Sequence, residues 1–276
     1  MISFQIFSPS IELKEIVSHY FIADITDLND LPLTTDVYPM NIPALNFLSN
    51  PGIYQFNNED GSFEEGRLIN LVGQMSGTRI TRFFRPGIIV TVIFTPWGIH
   101  KLSRINMSEI TDMAIDPFAI IGAEELEDCR SQIFQSNSLR AGLNVVNKYL
   151  LKWSQINEPD LRNIDKIATL INSRKGNVNI DWLIGEANMS IKTFERHFYE
   201  KIGIPPKLFS RISRFSHAIK MLQGNAGTLS ILDDCGYADQ AHFIKECKNL
   251  CGRTPKFYLK ETEEVSRFFF SHFVKD

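Results

Sequence analysis

The chain has 276 residues, 43% of them hydrophobic, and a formal net charge of −3. It is therefore long enough for two domains that each bury a core. It has no early apolar run beside positive charge and no stretch of about 18 apolar residues, so we expect no secretory signal and no membrane span. Its four cysteines show no short-spaced pattern, which is typical of a reducing cytoplasm.

The N-terminal part begins with an apolar stripe at helical spacing. The stripe of Leu13, Ile16, Val17 and Tyr20 predicts a short amphipathic helix within residues 1–22. Short β-like runs then alternate with Gly- and Pro-containing turns, which predicts a small sandwich or barrel. The predicted strands cover residues 44–48, 52–56, 67–72, 78–84 and 88–95. We interpret residues 1–157 as a β-barrel-like (cupin-like) sensor domain with flanking helices.

Aromatic residues in this domain leave two interpretations open. Phe47, Phe83, Phe94 and Trp97 could line a pocket for a small organic effector, and they could equally form an ordinary aromatic core. Enzymatic cupins usually hold a metal through closely spaced histidines, whereas residues 1–159 contain only two histidines, far apart: His19 and His100. We therefore expect no catalytic residue, no metal and no cofactor.

Two helices are predicted next, at about 122–135 and 138–155. The second has a continuous apolar stripe. Its members include Leu139, Leu143, Val146 and Leu150. The stripe either packs on the β-rich domain or contacts its counterpart in a homodimer. The sequence Asn-Glu-Pro-Asp at 157–160 then marks the predicted domain boundary.

An internal repeat follows the boundary, and it is the strongest signal in the chain. One pattern of caps, aromatic residues, glycine and proline occurs twice, displaced by 49 residues. Corresponding pairs are Ser190 and Asp239, Phe194 and Phe243, Gly203 and Gly252, and Pro206 and Pro255. Each copy begins with a helix cap and ends with a glycine suited to a helix C-terminus, so each predicts the second helix of a helix-turn-helix.

The helix faces that point outward are the candidates for contact with a major groove. In the two copies they are Lys192, Thr193, Glu195 and Arg196, and Gln240, Ala241, Ile244 and Lys245. Candidate phosphate contacts are Ser190, Arg211, Arg214 and Asp239, with ion pairs inside the domain as the alternative for the two arginines. A helix at 205–223, about 28 Å long, joins the copies.

Charge supports the same assignment. Residues 1–159 carry 11 Lys and Arg against 18 Asp and Glu, whereas residues 160–276 carry 18 against 14. The half with the repeat is the basic half, as contact with DNA phosphates requires, and its binding should depend on salt.

Residues 160–262 resemble the double helix-turn-helix domain of AraC/XylS-type transcriptional regulators. The residues that carry the resemblance are Ser190, Phe194, Arg196, Phe198, Gly203, Pro206, Arg214, Ala218, Leu222, Ile231, Gly236, Tyr237, Asp239, Phe243, Gly252, Thr254, Pro255 and Tyr258. Two departures are Lys245, where the family more often has arginine, and Cys247, which replaces a core phenylalanine. Residues 1–159 resemble the sensor half of such regulators more weakly.

The resemblance implies an α+β protein whose C-terminal domain is all-α, with two helix-turn-helix units joined by a long helix. It implies a cytoplasmic, bacterial-type regulator that binds double-stranded DNA sequence-specifically, responds to an effector, forms a homodimer and engages RNA polymerase. The alternative is a small-molecule-binding or metal-dependent cupin-like protein with a vestigial DNA-binding half. An aromatic tail at 263–276 docks on the chain's own surface or acts as a dimer or interdomain latch.

Overall fold

The computed structural model describes the following residues: 3–27, 31–57, 61–154, 164–260, 270 and 272. Contact clustering divides the chain into two compact units. The first unit, which is β-rich, comprises residues 1–34, 42–74 and 80–160. The second unit, which is mainly helical, comprises residues 35–41, 75–79 and 161–276. The predicted boundary at 157–160 lies outside the described residues.

Ten strands occur in the described part of the N-terminal half, and they form two sheets. They are β1 (Ser3–Phe7), β2 (Val17–Asp24), β3 (Leu33–Val37), β4 (Ala44–Leu48), β5 (Tyr54–Asn57), β6 (Phe63–Glu65), β7 (Ile69–Val72), β8 (Arg79–Phe83), β9 (Ile88–Phe94) and β10 (Ala114–Ile115). One sheet has the order β1-β2-β9-β4-β7-β10 and the other β3-β8-β5-β6. The predicted β-rich domain and its five strands are confirmed, and over the described residues the two sheets do not close into a barrel.

The predicted N-terminal helix is wrong. Residues 11–13 form a single 3₁₀ turn, and the stripe continues into the strand β2. Val17 and Tyr20 are buried there, and so are the consecutive residues Phe21, Ile22 and Ala23, which shows that both faces of β2 are covered. A strand covered on both faces loses the alternation of apolar and polar residues that identifies strands in sequences.

The six-stranded sheet has two chemically different faces. Leu45, Phe47, Val90 and Val92 belong to a hydrophobic cluster that also contains residues of the helices α3 (Ala123–Gln135) and α4 (Leu139–Ser154). On the opposite face, neighbouring Asn46, Asn70 and Thr91 hydrogen-bond to one another, at 2.9 Å between Asn46 Nδ2 and Asn70 Oδ1. The Tyr54 hydroxyl donates to Asn70 Oδ1 at 3.1 Å, so this polar face looks toward the four-stranded sheet.

This arrangement separates the four predicted effector-pocket residues. Phe47 and Phe94 are buried in the cluster with the helices. Phe83 pairs with Tyr54 in the four-stranded sheet and therefore lies on the other side of the six-stranded sheet. Trp97 is half-buried, and its Nε1 donates to the Glu15 carbonyl at 2.9 Å. A single pocket lined by all four is therefore excluded.

The apolar stripe of α4 packs into the same cluster. Leu143, Val146 and Leu150 are at most 3% exposed, and Leu139 packs against them. Packing on the β-rich domain is thus the correct alternative. Leu143, Val146 and Leu150 are therefore not exposed for the predicted dimer contact, whereas Leu139 is half-buried.

Helices make up most of the second unit. They are α5 (Ile164–Ser173), α6 (Ile180–Ala187), α7 (Ile191–Ile202), α8 (Pro206–Gln223), α9 (Thr228–Cys235), α10 (Gln240–Cys251) and α11 (Pro255–Lys260). The first unit also contains two short helices, α1 (Gly98–Ser103) and α2 (Phe118–Ile121). No helix within the described ranges is long and apolar enough to cross a membrane.

Within the second unit, residues 35–41 pack among the helices. The ring of Tyr38 lies 5.3 Å from that of Tyr258 and 5.4 Å from that of Phe270, measured between centroids. Asn41 Nδ2 donates to the Phe209 carbonyl and to Ser213 Oγ, at 3.0 and 2.9 Å. Of the aromatic tail at 263–276, the structure describes only Phe270 and His272, and Phe270 is fully buried. For Phe270, docking on the chain's own surface is therefore observed.

Candidate nucleic-acid interface

The first helix-turn-helix consists of α6 and α7. Asn179 caps α6 by accepting from the Trp182 amide at 3.1 Å, and Asn188 makes the turn with a φ of 51°. Ser190 caps α7 by accepting from the Thr193 amide at 3.3 Å. Asparagine tolerates this left-handed backbone better than most residues do, which is why the chain can turn within three residues.

One face of α7 is buried and the other is exposed. Phe194 and Phe198 are fully buried, with ring centroids 5.8 Å apart, and Phe198 also packs on Phe209 of α8. Because residues four apart share a helix face, this packing turns the predicted contact residues outward. Lys192, Glu195 and Arg196 are exposed, and Thr193 is half-buried with its hydroxyl 2.9 Å from Ser190 Oγ.

The second helix-turn-helix consists of α9 and α10 and uses different local chemistry. Gly236 makes the turn with a φ of 68°, and Asp239 caps α10 by accepting from the His242 amide at 2.7 Å. Phe243 and Cys247 face inward, in the positions that Phe194 and Phe198 occupy in the first helix-turn-helix.

The outward face of α10 is less polar than that of α7. Gln240, Ala241 and Lys245 are exposed, whereas Ile244 is half-buried. Gln240 and Lys245 are therefore its two polar candidates for base contact. Ser190 and Asp239, predicted as phosphate contacts, serve as helix caps through their side chains. A phosphate at either helix would be held by the remaining first-turn amides, because these lack partners within the helix.

Helix α8 joins the two helix-turn-helix pairs. It begins at Pro206, has no side-chain cap from Pro205, and its 18 residues extend for about 27 Å. Proline suits the first helical position because that position needs no amide donor. The predicted linker helix is confirmed within one residue.

The two arginines of α8 form ion pairs inside the domain. Arg211 Nε lies 3.1 Å from Glu246 Oε2, and Arg214 Nε lies 3.0 Å from Glu246 Oε1. Their side chains are 32% and 17% exposed, whereas that of Glu246 is 4% exposed. Of the two alternatives for these arginines, the structure supports the ion pair over the phosphate contact.

Glu246 is the functional candidate that the sequence did not reveal. It lies on the buried face of α10 and also accepts from the Tyr237 hydroxyl at 3.1 Å. Burial alone would raise the pKa of Glu246, but hydrogen bonds and charge from Arg214 and then Arg211 outweigh burial and hold that pKa below its usual value. Glu246 lies three residues after Phe243 and therefore on the same helix face, which is the one sequence feature that could have indicated its burial. Glutamate is seldom buried, so this spacing alone gave no reason to expect it.

The described residues contain no group of three or more His, Cys, Asp and Glu side chains that could hold a metal ion. The two N-terminal histidines have other neighbours. His19 Nδ1 lies 2.8 Å from Ser18 Oγ, and His100 Nδ1 lies 2.8 Å from the Ile105 carbonyl.

Comparison with known proteins gives one domain match and several loose structural likenesses. A family model described as a helix-turn-helix domain matches residues 183–261. No curated protein matches the chain. Similar solved structures include ToxT from Vibrio cholerae, with 16% identity, coverage of 94% of this chain and 96% of that chain, and a TM-score of 0.46.

Two further structures extend this comparison. Wild-type ToxT from Vibrio cholerae bound to an unsaturated fatty acid is 12% identical over 94% of each chain, with a TM-score of 0.47. The AraC-like transcriptional activator CuxR is 9% identical, covering 84% of this chain and 91% of that chain, with a TM-score of 0.28. At these scores the likenesses carry no argument about function, which rests on the domain match and on the two helix pairs. Residues 183–261 therefore form a helix-turn-helix domain of the AraC type, a kind of domain that binds DNA.

Proposed function

We propose that α7 and α10 enter two successive major-groove segments on one face of the DNA and select bases there. The repeated arrangement of cap, buried aromatic residue and exposed outward face carries this proposal, because it presents two equivalent helices on one linker helix. An α8 of about 27 Å is compatible with helices spaced by one turn of duplex, about 34 Å.

Base selection falls to the exposed side chains of the two helices. In α7, Arg196 has the planar fork that pairs with guanine, while Lys192 and Thr193 lie nearer the helix N-terminus. In α10, Gln240 suits adenine, and Lys245 reaches guanine with a less rigid group than arginine. Phosphate contacts would position the domain without specifying sequence.

The β-rich unit supplies the signal in this proposal. A small organic effector, or association of two copies, would shift the balance between arrangements of the protein that differ in affinity for DNA. The chain would then act as a transcription regulator in the cytoplasm. RNA polymerase would be a further partner, and the chain itself would have no enzymatic activity. The domain limits of 1–157, 160–262 and 263–276 belong to this proposal.

Selection of bound duplexes from a randomised pool tests the proposal with the full chain at about 0.15 M salt, near physiological ionic strength. The expected product is a bipartite motif with its halves about one helical turn apart. Salt dependence should accompany it, because each neutralised phosphate releases counterions. Enrichment of no sequence, with and without candidate effectors, would contradict sequence-specific binding.

A vestigial second helix is the alternative that one observation favours. The outward face of α10 contains Ala241 and the half-buried Ile244, so it offers fewer polar groups than α7 does. Recovery of a single half-site in the same selection would indicate that α10 no longer selects bases. Lys245→Ala would then leave binding to that half-site unchanged.

A further inference from the structure

The carboxylate of Glu246 is enclosed by four hydrogen-bond donors from two elements. Its Oε1 accepts from Arg214 Nε at 3.0 Å and from the Tyr237 hydroxyl at 3.1 Å. Its Oε2 accepts from Arg214 Nη2 at 3.0 Å and from Arg211 Nε at 3.1 Å. Arg214 therefore makes the bidentate pair that fixes both the distance and the plane of a carboxylate.

The donors come from the linker helix α8 and from the turn between α9 and α10. Arg211 and Arg214 lie one turn apart on α8, whereas Tyr237 lies in the turn before α10. The side chain of Arg214 also stacks on the Tyr237 ring, at 4.9 Å from its centroid. One carboxylate thus joins α10 to the linker helix and to its own turn.

Phe243 of α10 packs on the Tyr237 ring at 4.9 Å between centroids, but the position that matches Phe198 of α7 has a smaller side chain in α10. Phe198 contacts two other rings, whereas Cys247 takes the equivalent place in α10. A small side chain limits neither the rotation nor the tilt of a helix as a phenyl ring does. Directional hydrogen bonds to a buried charge do limit both, because moving away from them leaves the charge uncompensated.

We propose that Glu246 is a positioning residue for DNA binding: it fixes the rotation of α10, so that Gln240 and Lys245 face the groove, and it holds Arg211 and Arg214 in ion pairs inside the domain. Glu246 itself does not touch DNA. This inference rests on the proposed function, since it concerns the helix that is proposed to contact the second half-site.

Glu246→Gln tests the proposal with almost no change in volume. The amide removes the charge and points a donor at one guanidinium, so α10 is no longer held in one orientation. Discrimination at the half-site contacted by α10 should fall by about tenfold, the size of one good base contact. Discrimination at the other half-site should stay as in the wild type. The salt dependence on random DNA should steepen by up to about one counterion for each released arginine.

Cys247→Ala is the matched control. It lies next to Glu246 in the same helix and is also fully buried, so it weakens α10 packing without touching the ion pairs. Both variants of the full chain are measured on the selected duplex and on duplexes with either half scrambled. Arg196→Ala and Lys245→Ala identify which half belongs to which helix. Equal losses at both halves, or the same pattern in Cys247→Ala, would overturn the proposal.

A measurement on the free protein keeps the inference testable if the wild type selects no motif. Amide hydrogen exchange should accelerate in α10 of Glu246→Gln and stay unchanged in α7, relative to Cys247→Ala. Absence of a motif would contradict the proposed function, whereas unchanged α10 exchange would contradict the positioning role. The two failures are therefore distinguishable.

Discussion

The two helix-turn-helix units have matching patterns and are stabilised by different forces. In the first unit, Phe194 and Phe198 fill the space beneath α7, and side chains cap both of its helices. In the second helix-turn-helix, Phe243, Cys247 and the buried Glu246 lie beneath α10, and Gly227 precedes α9 without a side-chain cap. One geometry is thus maintained by two aromatic side chains in one copy and by one aromatic side chain together with an ionic network in the other.

This difference has a physical consequence. Apolar packing does not depend on pH or on particular partners, whereas a buried carboxylate needs each of its donors. Single substitutions in α8 should therefore destabilise the second helix-turn-helix more than the first.

The largest expected effect concerns the equivalent core positions. Phe198→Ala should lower the free energy of unfolding by about 3–5 kcal/mol, because it removes a fully buried ring. Cys247→Ala should lower it by only about 1 kcal/mol, because it removes a single buried heavy atom. Urea denaturation of both variants measures these values. Similar losses at the two positions would contradict the contrast between the units.

Arg214→Met is expected to rank next. The substitution keeps the aliphatic stem but removes the bidentate partner of a buried carboxylate, at a cost of about 3 kcal/mol. Lys207→Met, at an exposed position of the same helix, is the control and should change stability by less than about 0.5 kcal/mol. If both variants unfold at the same denaturant concentration, the network contributes no net stability.

Acidification should lower the stability of the second helix-turn-helix, because Glu246 becomes protonated. A carboxyl whose pKa is lowered by folding stabilises the folded state above its unfolded pKa, about 4.3, and loses that contribution as pH falls through the folded pKa. Thermal unfolding of the wild type and Glu246→Gln should therefore differ at pH 7, and the difference should begin to shrink near pH 4 and vanish only below the lowered pKa of Glu246 in the folded state. A difference that stays constant with pH would assign the stabilisation to shape instead of charge.

Arg196→Ala sharpens the comparison on the DNA side. We expect a loss of about 1–3 kcal/mol on the selected duplex and a much smaller loss on random DNA, because Arg196 is proposed to contact a base. Lys207→Ala removes the same charge from an exposed position of α8, outside both recognition helices in the sequence, and serves as the control in the binding titration. Equal losses on both DNAs would place Arg196 at the phosphates.

Substitutions at the helix caps should give the smallest changes in stability, and the changes should have opposite signs in the two helix-turn-helix pairs. Asn179→Ala should destabilise by about 1 kcal/mol because the Trp182 amide loses its acceptor. Gly227→Asn should stabilise by a few tenths of a kcal/mol, since a Cβ there meets no atom within 4 Å and the new side chain can cap α9. Thermal unfolding would show whether both shifts have these signs.

Local patterns were sufficient for the helical half. Caps at Ser190 and Asp239, the turn at Gly236 and the proline at 206 depend on neighbouring residues alone, so the repeat predicted both helix pairs and the linker helix. Five strands followed for the same reason, since turn residues bound each of them.

Tertiary structure decided what depends on partners distant in the chain. The stripe at 13–20 became a 3₁₀ turn followed by the start of β2, because β2 pairs with β1 and β9, and Phe47 and Phe83 were separated by the sheet between them. Glu246 became the centre of an ionic network because α8 brings two arginines to it from 32 and 35 residues away. A sequence read locally specifies helices and turns by short-range hydrogen bonding and sterics, whereas burial and charge pairing depend on which distant elements pack together.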